Sequence, residues 1–211
     1  MWLLMNHLRN RILNVLFDLL YGRLVFFHEP AGNALFGESW HKRRLWCLAD
    51  LPAGSMVVDV GAGEGRLVDE ARRRGIRISG FDPSRRMRES ASRRGVQIAA
   101  GTSYGLPLEQ GSVGRVVVTY PGKWIGDERT WVEFDRVLDR PGEVRILVGG
   151  SYESGSGARV RSTLVRLAYG SGSRPKLSLP AAKRRGFIVK HVRRRDRWGT
   201  AHYYVAGRPD A

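Results

Sequence analysis

Cysteine is almost missing from this chain: Cys47 is the single one in 211 residues. A lone cysteine excludes an internal disulfide and a cysteine-based metal site. It also fits a reducing compartment, so a cytoplasmic location is expected. Flanked by Trp46 and Leu48, Cys47 reads as a small core residue. A long uncharged apolar run is missing too. Met1 to Phe27 is rich in Leu, Ile, Val and Phe, but Arg9, Arg11, Asp18 and Arg23 interrupt it. Those charges exclude a signal peptide and make a poor membrane span. Acidic residues are scarce: 20 Asp and Glu stand against 36 Lys and Arg, giving a net charge of +16. That balance favours anionic partners such as nucleic acid, acidic lipid or an acidic substrate. Of the basic residues 31 are Arg, spread in pairs and triples such as Arg72 to Arg74, Arg85-Arg86 and Arg93-Arg94. A dedicated nucleic-acid strip would be more concentrated. Hydrophobic residues make up 42% of the chain, enough for a proper core.

The chain is organised around Val57-Val58-Asp59-Val60-Gly61-Ala62-Gly63-Glu64-Gly65-Arg66. Four residues of buried-strand character lead into three glycines at alternate positions. Leu67 to Arg74 follows with helical composition. Strand, glycine turn and helix form the first unit of a doubly wound α/β domain. The glycines permit left-handed backbone and close approach of a ligand, and the helix start points free N–H groups at the turn. A dinucleotide fingerprint would require glycine at position 66, where Arg66 stands. An NAD(P)-linked oxidoreductase is therefore disfavoured.

Ile76 to Phe81 alternates as a strand and ends at Asp82-Pro83-Ser84. A carboxylate at that point can accept two hydrogen bonds from a ribose diol. Ser84 starts a helix through Arg94. Val96 to Ala99 reads as a third strand. After it come Gly101-Thr102-Ser103-Tyr104-Gly105-Leu106-Pro107, then Gly111-Ser112, then the apolar strand Val116 to Pro121.

These features together resemble the class I S-adenosylmethionine (SAM)-dependent methyltransferases, in particular the type-11 group. The resemblance is carried by Asp59-x-Gly61-x-Gly63-x-Gly65, the Leu106-Pro107 turn, the Gly111-Ser112 turn, the valine-rich strand, and Arg136-Val137-Leu138-Asp139-Arg140-Pro141-Gly142. It covers about residues 55 to 150. It implies a Rossmann-like α/β fold: a seven-stranded, mostly parallel, doubly wound sheet whose last strand is antiparallel. An N-terminal helical extension over 1–50 would precede a SAM-binding domain over 51–211. It implies SAM as cofactor, held by Asp59, Gly61, Ala62, Gly63, Gly65, Asp82, Pro83, Thr102, Ser103 and Thr119. The family often has Asp where Thr102 stands, and Glu143 replaces the second glycine of the later turn.

The segment before the glycine loop often shapes the acceptor site in this family. Tyr21, His28 and Trp40 are thus pocket candidates, joined by Tyr120 and Trp124 after the fourth strand; Phe27 and His41 belong to the same group. Thr119-Tyr120-Pro121-Gly122 replaces the Asn/Asp-Pro-Pro-aromatic box of base amino-methyltransferases. The acceptor is therefore expected to be a small molecule or a lipid- or quinone-like compound. An RNA-directed enzyme and a non-catalytic SAM-binding relative are the alternatives. No carboxylate pair or Asp/His constellation fixes a catalytic residue; His28, His41, His191 and His202 are the available bases. No metal is expected.

His7, Arg11, Asn14 and Asp18 form a polar stripe opposite Leu8, Ile12, Val15, Leu16, Leu19 and Leu20. Residues 1–27 thus read as an amphipathic helix, packed on the domain or resting peripherally at the inner membrane surface. Ser39 to Leu51 reads as a second helical piece, and Val160 to Tyr169 has helical spacing. Gly186 to Lys190 and Ala201 to Ala206 read as the last two strands. The linker Arg193 to Gly199 looks too long and charged for a two-residue turn.

Overall fold

The computed structural model describes residues 38–151, 159–160, 163 and 177–209. The readings on residues 1–27, on Tyr21 and His28, and on most of 160–169 fall outside them. The elements are α1 (Glu38–Leu45), β1 (Val57–Val60), α2 (Arg66–Arg73), β2 (Ile78–Phe81), α3 (Arg85–Arg93), β3 (Val113–Thr119), α4 (Glu128–Val137), β4 (Leu138–Gly150), α5 (Pro180–Arg184), β5 (Ile188–Asp196) and β6 (Gly199–Gly207). Single 3₁₀ turns lie at Trp46–Leu48 and Lys123–Gly126.

The sheet runs in the order β2-β1-β3-β4-β6-β5. Strands β2, β1, β3 and β4 are parallel, and β6 is antiparallel to both β4 and β5. The middle strands are continuous valine runs because both faces are covered. Val58, Val60, Val116 and Val118 pack on one face with Trp131 and Phe134 of α4, Ala181 and Ala182 of α5, and Phe187. Val57 and Val117 pack on the other with Leu67, Val68 and Ala71 of α2, Ala91 of α3 and Cys47. Burial of Cys47 pushes its thiol up to about 12, which keeps it protonated and inert. Among the described residues no helix is long and apolar enough to cross a membrane.

Two expectations are corrected. Val96 to Ala99, expected as a third strand, is not among the six strands that the described residues form. Val96 to Ala99 runs beside β2 but makes only one parallel bridge, Ala99 with Phe81. Its side chains serve the glycine turn instead. A Cβ on Gly65 would lie 2.7 Å from Val96 Cγ1, and one on Gly80 would lie 2.5 Å from Ile98 Cδ1. The second correction concerns the charged linker near the C-terminus. Strand β5 continues through the arginines to Asp196, and the turn is only Arg197-Trp198. β5 is an edge strand with mostly exposed side chains, so main-chain pairing tolerates charge that an apolar pattern would not reveal. Asp196 Oδ1 closes the turn by accepting the N–H groups of Trp198 (2.8 Å) and Gly199 (3.0 Å).

The segment after α1 is tied to the sheet by two buried arginines. Arg115 on β3 donates to the carbonyls of Cys47 (3.3 Å), Ala49 (2.6 Å) and Asp50 (3.2 Å). Arg145 on β4 donates to Trp46 (3.2 Å) and Ala49 (2.8 Å). Glu143 pairs with both guanidinium groups, at 2.6 Å and 2.8 Å. A departure from the family pattern at position 143 thus supplies the counter-charge that lets two arginines be buried.

Candidate functional site

Strand β1 ends at Val60, and the chain turns through Gly61, Gly63 and Gly65 at φ of 77°, 56° and 72°. This is the left-handed region, which glycine alone enters freely. The N–H groups of Gly61 and Ala62 both bond to the Phe81 carbonyl, at 2.8 and 3.0 Å. That anchors the turn to the end of β2. Gly65 then caps α2, whose first N–H groups face the turn.

Asp82 stands where β2 ends and is 7% exposed. One carboxylate oxygen accepts the Gly63 N–H (2.8 Å) and the other accepts the Ser84 N–H (2.8 Å). Burial raises its pKa, and these two N–H groups oppose the rise. Pro83 follows, exposed, with the Asp82 and Pro83 carbonyls held by Arg88 at 2.8 and 3.0 Å. Ser84 caps α3 as read from sequence.

Asp59 lies inside β1 and is 1% exposed. Its Oδ1 is buried without a hydrogen-bond partner. Burial pushes its pKa up to about 7; the Arg44 charge opposes that rise and the Asp82 charge adds to it. A buried carboxylate oxygen with nothing to accept from is a place for a cationic or donor group of a ligand.

Thr102 and Ser103 follow the bridge at Ala99. Thr102 Oγ1 accepts the Tyr104 N–H at 3.2 Å. Ser103 is buried, with its hydroxyl 3.0 Å from that of Thr130, which itself donates to the Trp124 carbonyl at 2.8 Å. Both hydroxyls are therefore engaged in shaping this rim. The Leu106-Pro107 turn is clamped by α4. Glu133 accepts the Leu106 N–H at 2.6 Å, and Arg136 donates to the carbonyls of Leu106 (3.0 Å) and Leu108 (2.8 Å). The Arg136 guanidinium holds the Glu133 carboxyl below the usual carboxylate range.

Thr119 ends β3, paired with Leu147. Tyr120 follows at φ 54°, a left-handed conformation that costs an aromatic residue about 1–3 kcal/mol. Its N–H bonds to the Leu147 carbonyl (2.7 Å), and the Arg44 guanidinium sits 5.5 Å from its ring. Trp124 lies on the opposite side of the loop end, 3.6 Å from where a Cβ of Gly61 would stand. The two aromatic candidates thus come from opposite core clusters to flank the carboxyl end of β3. Of Trp40 only the helical backbone in α1 is described.

Two histidine environments are defined. Burial, then Arg44 and Arg94, lower the pKa of His41 on α1. His191 Nε2 and buried His202 Nδ1 are 3.1 Å apart, with stacked rings. Sequence reading missed Arg44, Glu133 and Glu143. Arg44 stands in a Lys42-Arg43-Arg44 run with no distinguishing signal. Glu133 does have one: it sits three residues before Arg136 on the apolar helix α4.

A glycine turn after β1, a carboxylate closing β2 and a sheet whose penultimate position is antiparallel define the fold of the class I SAM-dependent methyltransferases. The model of the family described as "methyltransferase domain" matches residues 58–146. Uncharacterized methyltransferases of Mycobacterium tuberculosis and Mycobacterium bovis are 36% identical to it over 95 residues, 44% of this chain and 39% of theirs. The chain thus spans about two-fifths of the length of these curated relatives. Among solved structures, a SAM-dependent methyltransferase of Thermotoga maritima, described as a possible histamine N-methyltransferase, superposes with a TM-score of 0.61. Identity there is 20%, over 89% of this chain and 97% of that one. Phosphoethanolamine N-methyltransferase 2 of Haemonchus contortus with SAM gives 0.60 at 16% identity, over 84% and 56%. Geranyl diphosphate C-methyltransferase of Streptomyces coelicolor gives 0.56 at 15% identity, over 80% and 78%.

Proposed function

We propose that this chain is a SAM-dependent methyltransferase acting on a small-molecule or lipid- or quinone-like acceptor. The observation that carries the reading is the joint made by Asp82 with the Gly63 turn. A buried carboxylate and three left-handed glycines meet at the carboxyl ends of β1 and β2, where open α/β sheets bind ligands. The residues fit the cofactor. The glycine cradle leaves room for a close approach of ligand atoms, and the buried Asp59 Oδ1 has an acceptor to offer a cationic group. Asp82 would take the ribose hydroxyls, with Pro83 beside it. Thr102, Ser103 and Thr119 would border the base and the reacting end.

When bound, SAM supplies a methyl carbon activated by its sulfonium charge. The chain's own part is positioning and exclusion of water. Tyr120 and Trp124 would wall the acceptor side, and Arg44 over the Tyr120 ring would close it from α1. Solved neighbours with this fold include enzymes whose names specify phosphoethanolamine and geranyl diphosphate, and the second of these is lipid-like. Calorimetric titration with SAM and S-adenosylhomocysteine tests the cofactor, with Asp82→Ala as control. Activity screening against lipid amines and quinone-like phenols then tests the acceptor class.

A further inference from the structure

We propose that Thr130 is a positioning residue of the cofactor site, tying the rim that borders the base to the indole that walls the acceptor side. Its side chain is buried on α4. Its Oγ1 lies 2.8 Å from the Trp124 carbonyl and 3.0 Å from Ser103 Oγ. The carbonyl can only accept, and a hydroxyl has one proton to give. Thr130 therefore donates to Trp124 and accepts from Ser103. The result is a directed chain, Ser103 to Thr130 to Trp124, between segments 27 and 6 residues from Thr130 in sequence.

This hydroxyl is not spent on capping its own helix. Asp127 caps α4 by accepting the Arg129 N–H at 3.0 Å. Each partner segment also has a fastening of its own. The Trp131 Nε1–H donates to the Ile125 carbonyl, next to Trp124, at 2.8 Å. The rim is clamped at Leu106 by Glu133 and Arg136. What Thr130 adds is a direct link between the two segments.

The link closes a ring around the place proposed for SAM, a use that rests on the methyltransferase reading. At one end the Trp124 indole packs toward the glycine turn, 3.6 Å from where a Cβ of Gly61 would stand. At the other, buried Ser103 follows Thr102 in the turn that would border the base. A ligand lying between turn and rim would touch both ends of the chain. A buried polar atom whose partner moves away loses its hydrogen bond with no water to replace it, so the members of such a chain move together. Occupation of the base site thereby sets how Trp124 faces the acceptor, and placement of that wall governs the rate of a transfer that depends on alignment.

The test uses the full chain and two probes. S-adenosylhomocysteine affinity is measured by calorimetry. Adenosine, which carries the base and ribose without the amino-acid part, is followed by tryptophan fluorescence. Trp124→Phe identifies the part of the fluorescence change that belongs to Trp124. Thr130→Val keeps the side-chain shape and removes the hydroxyl, Thr130→Ser keeps the hydroxyl, and Ser103→Ala removes the far end of the chain; melting is recorded for each. The expected result is a Trp124 signal with adenosine in wild type and Thr130→Ser, lost in Thr130→Val and Ser103→Ala, whose S-adenosylhomocysteine affinity falls about tenfold. A folded Thr130→Val protein with undiminished signal and affinity would overturn the proposal. So would a wild type with no Trp124 signal, or a Thr130→Ser protein as defective as Thr130→Val. If Thr130→Val does not fold, Ser103→Ala decides by the same readings. A folded wild type that binds no S-adenosylhomocysteine would overturn the methyltransferase reading and this proposal together, whereas binding with an unchanged Thr130→Val response would overturn this proposal alone.

Discussion

Asp59 is the residue whose chemistry is most exposed to experiment. Its folded-state pKa of about 7 lies above the ordinary 3.8. A raised carboxyl pKa means that the folded state binds the proton more tightly than the unfolded chain. Its contribution to stability is therefore greatest at low pH and falls as pH rises from about 4 to about 7. A cationic ligand beside Asp59 favours the ionised form. SAM affinity should then increase from pH 6 to pH 8, with proton release on binding. Calorimetry in buffers of different ionisation enthalpy measures that proton, and Asp59→Asn should remove both effects. Glu143 supplies a second residue-level prediction. Glu143→Ala leaves Arg115 and Arg145 buried without their counter-charge. It should cost about 3–5 kcal/mol, read as a lower midpoint in urea. Arginine abundance is thus partly structural here, which composition alone did not reveal.

At the scale of elements, the glycine turn depends on the segment that failed to become a strand. Val96 and Ile98 fill the space beside Gly65. Gly65→Ala forces a Cβ into that space at a left-handed φ and should destabilise by about 1–3 kcal/mol. Thermal melting checks this, and SAM affinity should fall with it. The strands β1 and β3 and the helices α2 and α3 were legible because buried valine runs and periodic helices announce themselves locally. Asp82 was legible because it directly follows a strand, at the sheet end where open α/β folds bind ligands. Both hairpin strands were legible in part, but the continuation of β5 and its short turn were not, since an edge strand draws its order from main-chain pairing and shows no apolar alternation over Arg193 to Asp196. Nor was the shortened third strand, whose valine and isoleucine are spent against glycines in place of a neighbour's ladder.

At the scale of the molecule, one sheet carries a cofactor-type turn and the β5–β6 turn at the same end. The α1 segment links them: Arg44 reaches Tyr120 and influences Asp59, while Arg43 pins Asp196 in the hairpin turn. Arg43→Ala should therefore loosen the hairpin against α1. Faster amide exchange in β5 and β6 would report it. The same variant should leave the core strands β1 and β3 protected, because their packing does not involve that pair.

The most direct measurement is a calorimetric titration of the full chain with SAM and S-adenosylhomocysteine, beside Asp82→Ala. The account predicts saturable binding of both ligands to the wild type. It predicts a loss of about 100-fold or more in the variant, whose carboxylate no longer joins the Gly63 turn to the end of β2. A folded wild-type protein that binds neither ligand, or an Asp82→Ala protein that binds both as well as wild type, would contradict it.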